Sequence, residues 1–202
     1  IENITSKPPT MVGVDLSVRD DFSTVTYNLY SVDSRSFHSY TDYYFPDGAL
    51  EKHPNCELYK GWVKAGYLKL CKGDIIDYQQ IVDDILKMAN YLCIMGIGYD
   101  PYKSAEFVNL LSSSVGGEAD IINPVKQTYG TFTSPVESFE IAIYSNKISF
   151  DPNPITPYCF ANAILDEDRN CNKKPIKKTH NAKIDSTITN LMTFHLFNNL
   201  TS

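Results

Sequence analysis

The most constraining feature of this sequence is a carboxylate inside an apolar strand. Residues 11–17 read Met-Val-Gly-Val-Asp-Leu-Ser, and their alternation predicts a β-strand with the aliphatic side chains on one face and Gly13, Asp15 and Ser17 on the other. Burying an ionised carboxylate costs on the order of several kcal/mol unless a cation or hydrogen-bond donors meet it. No Lys or Arg stands at the neighbouring positions of that face. Two explanations stay open: a bound metal ion, or an Asp near a strand end that accepts backbone N–H bonds.

Size and composition indicate a soluble globular domain. The chain has 202 residues, 43% hydrophobic and 21% charged, and no apolar run long enough to span a bilayer. We expect residues 1–10 to be a linker tail and residues 11–202 to form one domain of a longer protein, since the chain begins at Ile1 without a leader. Five cysteines without a Cys-x-x-Cys pair argue against a disulfide framework and a zinc site, and they fit a reducing cytoplasm.

Alternating and helical patterns predict an α/β fold. Residues 24–30 and 37–45 alternate as the first strand does, which predicts a three-strand antiparallel meander. Residues 46–71 contain several Gly and Pro breaks, and we expect a loop with a short helix there. Asp77, with Gln80 three residues later, predicts the N-cap and capping box of an amphipathic helix.

A predicted helical crossover allows a second acid to lie beside the first. Residues 96–101 predict a short strand that ends in Asp100-Pro101. A strand reached through a helical crossover lies parallel to its partner, and ligands gather at the carboxyl ends of such strands. Asp100 can therefore stand beside Asp15 if the strands are neighbours. The alternative is a turn-forming Asp before Pro. Further helices are expected at residues 103–111 and 135–145, and a strand at residues 119–122.

The last predicted helix, residues 183–199, carries a third acid in its first turn. Asp185 interacts favourably there with the helix dipole, which is a sufficient structural reason for it. His195 falls near the apolar stripe of the helix and is interpreted as a packed histidine. Asp20 and Asp21 follow the first strand, where they either form a turn or extend an acidic site.

Basic residues are unevenly distributed in an acidic chain. The net charge of −6 opposes binding to nucleic acid, yet six of the 18 basic residues fall within 15 positions. They are Arg169, Lys173, Lys174, Lys177, Lys178 and Lys183. The segment is either a solvated surface loop or a set of phosphate contacts.

One acid lies on a strand, a second at the end of a parallel strand and a third at the start of a helix. Together these three acids suit a two-metal site. Two divalent cations about 3.5–4 Å apart activate water and stabilise the leaving oxygen in phosphodiester hydrolysis. Carboxylate oxygens favour Mg²⁺ or Mn²⁺ over zinc.

The order of several short segments resembles a known family. The segments are Gly-Val-Asp-Leu-Ser (13–17), Asp-Asp-Phe-Ser (20–23), Gly-Tyr-Asp-Pro-Tyr (98–102), Ser-Pro-Val-Glu-Ser-Phe-Glu (134–140), Asn-Pro (153–154), Ala-Asn (161–162) and Lys-Ile-Asp-Ser (183–186). Over about residues 11–198 this order resembles the nuclease domain of the large terminase subunit of tailed phages and prophages. Tyr158 and Ser186 depart from the Trp and Gly that are usual in that family.

The resemblance implies a ribonuclease-H-like fold, with a mixed central sheet flanked by helices, and an endonuclease that cuts double-stranded DNA. Asp15, Asp100 and Asp185 match the family's metal-binding and catalytic acids, which hold two Mg²⁺ or Mn²⁺ ions, and Asp21 and Ser17 would support them. The implied partners are the ATPase domain of the same full-length protein, the small terminase subunit and the portal, in the host cytoplasm and without a membrane. No G-x-x-x-x-G-K-[ST] motif occurs, so this piece should not hydrolyse ATP.

Other functions stay open at this point. A junction resolvase would share the ribonuclease-H-like features, and a docking domain of the packaging motor would need no catalysis. Gly-Val-Asp-Leu-Ser could also begin the phosphate loop of an actin-like or sugar-kinase half, although no second Gly-Thr phosphate motif follows.

Overall fold

The computed structural model describes residues 7–102, 104–115 and 120–200, in which helices flank a mixed β-sheet. The strands are β1 Pro9–Asp15, β2 Ser23–Ser31, β3 Ser36–Pro46, β4 Lys69–Cys71, β5 Cys93–Tyr99, β6 Ile122–Pro124, β7 Ile148–Phe150, β8 Ala163–Glu167 and β9 Lys173–Lys177. The helices are α1 Asp47–Leu50, α2 Cys56–Lys64, α3 Tyr78–Ala89, α4 Ala105–Val115, α5 Tyr129–Tyr144, α6 Ile155–Asn162 and α7 Asp185–Leu200. The predicted fold class is confirmed.

The central sheet has the strand order β4-β3-β2-β1-β5-β6, with β7 added to β3. β1, β2 and β3 form the predicted antiparallel meander, and β5 lies parallel to β1 as the helical crossover predicts. β1 begins at Pro9, because its pairing with β5 starts there, so the predicted tail of residues 1–10 is two residues too long at this end. The strand also ends at Asp15, before the turn that was expected after Ser17.

The two faces of β1 pack against different layers. Val12 and Val14 lie in an apolar cluster with Ile81 of α3 and Phe107 of α4. Met11 belongs to the opposite cluster, with α5 and α7. The division of the strand into an aliphatic face and a face that carries the acid is confirmed.

Helix α7 meets the sheet through polar side chains as well as through apolar ones. Thr189 Oγ1 lies 2.6 Å from Thr26 Oγ1, and Asn28 donates to Thr193 Oγ1 at 2.9 Å. The expected apolar stripe is divided: Leu191 lies in the cluster that includes α5, and Leu196 lies against Gly96 and Gly98 of β5. Because α7 is buried on both faces, its polar face needs partners, and the buried hydroxyls and amides of the sheet supply them.

The start of α3 agrees with the prediction in one half only. Asp77 accepts from the backbone N–H groups of Gln79 at 3.0 Å and Gln80 at 3.3 Å, so it is the N-cap. The Gln80 side chain donates to the Leu70 carbonyl at 3.3 Å, so it ties α3 to β4 instead of closing the capping box. β4, α1 and α2 all lie within residues 46–71, where a loop with one short helix was expected.

Helix α5 begins six residues earlier than expected. Thr128 accepts from the Thr131 N–H and caps it, and Pro135, the predicted start, lies inside the helix. Since Pro135 has no N–H, the Thr131 carbonyl loses its helical partner. His195 of α7 is half-buried, and its Nε2 atom lies 3.3 Å from Asn199 Nδ2, so this histidine is packed as predicted.

The remaining boundaries shift by a few residues. The helix expected at residues 103–111 is α4, and the strand expected at residues 119–122 contributes to β6. Lys103 and Ala119, where these predictions began, lie outside the described residues. Within the described ranges, no helix combines the length and the apolar character needed to cross a membrane.

Candidate metal centre

Three elements bring the three predicted acids to one edge of the sheet. β1 ends at Asp15, and Asp100 directly follows β5, whose Tyr99 pairs with Val14. Helix α7 begins at Asp185. Because β1 and β5 are parallel, their carboxyl ends meet at this edge, as expected from the crossover.

Close contact between β1 and α7 places the third acid. A Cβ atom at Gly13 would lie 2.2 Å from the Thr189 carbonyl oxygen, so only glycine permits this approach. Gly13 lies two residues before Asp15, and Thr189 lies about one turn after Asp185. The glycine therefore lets the first turn of α7 lie over the end of β1.

The acids interact electrostatically. Burial raises the pKa of Asp15 well above its usual range, although the residue is partly exposed. The next causes are negative charges, in decreasing order those of Asp185, Asp100 and Asp21. The two predicted partners therefore both act on Asp15, and Asp21 joins them as a fourth acid.

Asp185 is the most enclosed of the acids, with 6% of its surface exposed. Burial first, and the charge of Asp21 second, raise the pKa of Asp185 to about 7. Its Oδ2 atom is buried without a hydrogen-bond partner among the described residues. A buried carboxylate oxygen without a donor is unusual in a folded protein, and a cation would satisfy it.

Two lysines assigned to the basic segment lie at the acid cluster. Lys177 Nζ lies 3.0 Å from Asp21 Oδ2, and Lys183 Nζ lies 2.5 Å from Asp21 Oδ1. Lys183 also donates to the Asp20 carbonyl at 2.9 Å and is 7% exposed. Lys183 was expected to meet phosphates, but it is buried and its ammonium group is engaged by these acceptors.

Hydrogen bonds orient the other acids. Asp100 accepts from the Tyr102 N–H at 2.9 Å, as the turn alternative predicts, and from Gln127 Nε2 at 2.6 Å. Sequence reasoning missed Gln127, since nothing in its loop position signals a contact with Asp100. Ser17 donates from its hydroxyl to the Asp21 carbonyl at 2.6 Å and so braces the turn that carries Asp21.

The donor set suits a hard divalent cation, although the side chains do not enclose one in this arrangement. Over residues 7–102, 104–115 and 120–200, no three Asp, Glu, His or Cys side chains are grouped tightly enough to hold an ion. Lys177 and Lys183 hold Asp21, and Gln127 holds Asp100. Carboxylate oxygens, one of them buried and unpartnered, are the ligands that Mg²⁺ and Mn²⁺ prefer.

The segment expected to be a basic loop contains a two-stranded hairpin. In the antiparallel pairing of β8 with β9, Lys174 lies opposite Asp166 and Lys173 opposite Glu167. Lys174 Nζ also lies 4.5 Å from the centre of the Tyr129 ring. Acids therefore face these two lysines across the hairpin, which the clustering of basic residues in the sequence does not reveal.

The two remaining basic residues of the segment also differ from each other. Lys178 Nζ donates to the Ala161 carbonyl at 2.6 Å, although the side chain is exposed. Arg169 lies in the exposed turn between β8 and β9. A role of Arg169, Lys173, Lys174 and Lys178 in DNA binding stays a prediction.

An antiparallel meander followed by a parallel strand, in a mixed sheet flanked by helices, is the arrangement of a ribonuclease-H-like fold. The chain belongs to the family described as the terminase large subunit, endonuclease domain, whose model matches residues 3–199. The resemblance stated from the sequence is confirmed.

Three known proteins are similar to this chain in sequence or in structure. Protein YmfN of Escherichia coli (strain K12) is 28% identical over 173 residues, which is 82% of this chain and 36% of that protein. The large terminase of bacteriophage HK97 superposes with a TM-score of 0.83 at 19% identity, over 96% of this chain and 40% of that chain. The nuclease domain of the bacteriophage SPP1 large terminase, solved with bound Mn, gives a TM-score of 0.53 at 12% identity, over 98% and 94%. The chain thus spans well under half of the first two relatives.

Proposed function

We propose that this domain is a metal-dependent endonuclease that hydrolyses phosphodiester bonds of double-stranded DNA with little sequence preference. The observation that carries the proposal is the convergence of Asp15, Asp100 and Asp185 from three separate elements, with a buried, unpartnered oxygen on Asp185. Membership of the terminase endonuclease family supports the reaction class.

The three acids would hold two Mg²⁺ or Mn²⁺ ions. Such ions supply Lewis-acid stabilisation of the attacking and leaving oxygens of a phosphodiester. Asp185 offers a carboxylate fixed by burial, and Gln127 orients the carboxylate of Asp100. Ser17 fixes the turn that carries Asp21, and Asp21 positions the ammonium groups of two lysines beside the acids.

The partners follow from the family. Because the chain spans 36% and 40% of the first two relatives, we propose that the chain from Pro9 onward is the nuclease domain of a longer protein with an ATPase domain. The small terminase subunit and the portal are its further proposed partners, and the host cytoplasm its proposed compartment. Plasmid cleavage by the isolated domain, compared with the full-length protein, measures how far the nuclease depends on the rest of the chain.

The test is cleavage of supercoiled plasmid with Mn²⁺, with and without a chelator. Asp15→Asn, Asp100→Asn and Asp185→Asn should each lose nearly all cleavage while remaining folded in a thermal melt. Asp33→Asn is the matched control, since Asp33 is an exposed acid in the β2–β3 turn. A folded Asp15→Asn protein that cuts as fast as wild type would refute the metal-site proposal.

A substrate comparison separates the proposed endonuclease from a junction resolvase. The proposed enzyme should cut linear duplex and a four-way junction of the same arms at similar rates per base pair. A strong preference for the junction would favour the resolvase. If neither substrate is cut with Mg²⁺ or with Mn²⁺, by the isolated domain or by the full-length protein, the docking-domain alternative replaces the endonuclease proposal.

A further inference from the structure

A cleft of about 750 Å³ opens beside Asp21, outside the acid cluster. Three segments of the chain form its walls: the turn that follows β1, the connection between α1 and α2, and the segment that leads from β9 to α7. Asp21 belongs both to this wall and to the group of acids that act on Asp15, so the cleft leads directly to the proposed catalytic edge.

The cleft concentrates positive charge in an acidic protein. Its charged lining consists of the cations Arg19, Lys52, Lys177 and Lys183 and the acids Asp20 and Asp21. That is an excess of two positive charges, whereas the whole chain carries −6. A concave surface with an excess of positive charge attracts ligands of negative charge.

Two of the four cations remain available to a ligand. Lys177 and Lys183 are held by Asp21, as described above. Lys52 is exposed, and its ammonium group has no ion-pair or hydrogen-bond partner among residues 7–102, 104–115 and 120–200. Arg19 lies 3.9 Å from Asp20, but both side chains are at least half exposed, so this ion pair is weak.

We propose that this cleft binds the sugar–phosphate backbone of the DNA strand that reaches the acid cluster, with Arg19 and Lys52 as the phosphate contacts. The proposal rests on the proposed nuclease function and names a part of its substrate site. The hairpin lysines are a weaker choice, because Lys173 and Lys174 face acids across the strands.

The salt dependence of DNA binding tests the proposal. The double variant Arg19→Ala/Lys52→Ala is titrated against a fluorescent duplex in chelator over a series of salt concentrations. Because each phosphate contact contributes about 0.9 to the slope of log K against log salt, the slope should become shallower by about 1.8. The matched control Lys64→Ala/Lys72→Ala removes the same charge from two exposed lysines outside the cleft and should leave the slope unchanged.

A single charge reversal provides a second measurement that does not depend on the double variant folding. Lys52→Glu should weaken DNA binding more than Lys52→Ala does. Lys72→Glu, which changes the net charge by the same amount outside the cleft, should bind DNA nearly as tightly as wild type. Slopes of Arg19→Ala/Lys52→Ala and of the control that agree within error would overturn the cleft proposal.

Plasmid cleavage separates failure of the cleft from failure of the function. If wild type cuts plasmid with Mn²⁺ and binds the duplex, but the cleft variants bind with an unchanged slope, only the cleft proposal falls. If wild type neither binds nor cuts, in the isolated domain and in the full-length protein, the nuclease proposal falls and the cleft proposal falls with it.

Discussion

The acid edge of the sheet and the β8–β9 hairpin show opposite relations between sequence and space. Asp15, Asp100 and Asp185 are far apart in the sequence, yet the structure brings their charges together. The basic residues of the hairpin are neighbours in the sequence, yet each of two lysines lies opposite an acid. A charge cluster in the sequence therefore does not establish a charged surface, and widely spaced acids can form a single site.

Backbone geometry explains the difference. Parallel pairing of β1 with β5 puts the residues that follow both strands on the same side of the sheet. Antiparallel pairing in the hairpin puts two segments of one loop opposite each other, and opposite charges across such a pair stabilise it by about 0.2–1 kcal/mol. Lys173 and Lys174 stand opposite acids in register, although no ion pair within 4 Å joins them in the described part of the chain.

The largest expected effect lies at the acid edge. Asp185→Asn removes a ligand charge, and single-turnover nicking should slow by well over about 100-fold, which exceeds the 10–100-fold typical of supporting residues. Lys173→Ala/Lys174→Ala should stay within about threefold of wild type, since acids already face these lysines. Similar losses in the two variants would break the contrast between the regions.

Gln127 tests whether orientation of Asp100 matters. Gln127→Ala should lower the nicking rate and the Mn²⁺ affinity by about 10–100-fold, the usual size for a residue that orients a metal ligand. Isothermal titration with Mn²⁺ provides the affinity independently of cleavage. The control is Gln79→Ala, because Gln79 makes the same kind of bond to Asp83 on an exposed helix face. Wild-type Mn²⁺ affinity in Gln127→Ala would leave the hydrogen bond without a functional role.

The next effect concerns stability in chelator. Burial and the charge of Asp21 raise the pKa of Asp185 to about 7 in the folded state. Between about pH 4 and pH 7 the folded protein therefore keeps a proton on Asp185 that the unfolded protein has released. The free energy of unfolding of wild type should therefore fall as the pH rises from about 4 to 7. Asp185→Asn lacks this loss and should melt a few degrees higher than wild type at pH 8, with little difference at pH 4.

Adding Mn²⁺ should reverse the order of the melting temperatures of wild type and Asp185→Asn. If Mn²⁺ binds the proposed site in the folded state only, it should raise the melting temperature of wild type by mass action and that of Asp185→Asn much less. If Asp185 only caps α7, the variant should lose about 1 kcal/mol and Mn²⁺ should shift neither protein. Thermal melts of both proteins, with chelator and with Mn²⁺ at pH 8, distinguish the two outcomes.

Particular residues show how far the sequence could predict this site. Asp15 and Asp100 could be placed together, because strand alternation and the crossover rule determine where they lie. The burial of Asp185 could not be predicted, since an acid in a first helical turn usually faces solvent. Thr189 and Thr193 of the same helix form a polar pattern that indicates exposure, yet they are buried against hydroxyl and amide groups of the sheet. Such matched polar contacts depend on tertiary packing and leave no local pattern.

The smallest expected effect tests the pairing inside the hairpin. If Glu167 neutralises Lys173 across the strands, Glu167→Gln should free that lysine for phosphate, tighten DNA binding slightly and steepen the salt slope by less than the 0.9 of a full contact. Glu57→Gln is the matched control, because it removes one of the two carboxylates that pair with Lys60, a lysine of α2 outside the hairpin. This change should leave the salt slope as it is in wild type. Lys173→Ala/Lys174→Ala should act in the opposite direction and flatten the salt slope by less than 0.9, since Lys174 also contacts the Tyr129 ring. A loss near 1.8 would instead show that both lysines contact phosphates, and the hairpin would then share the DNA with the cleft.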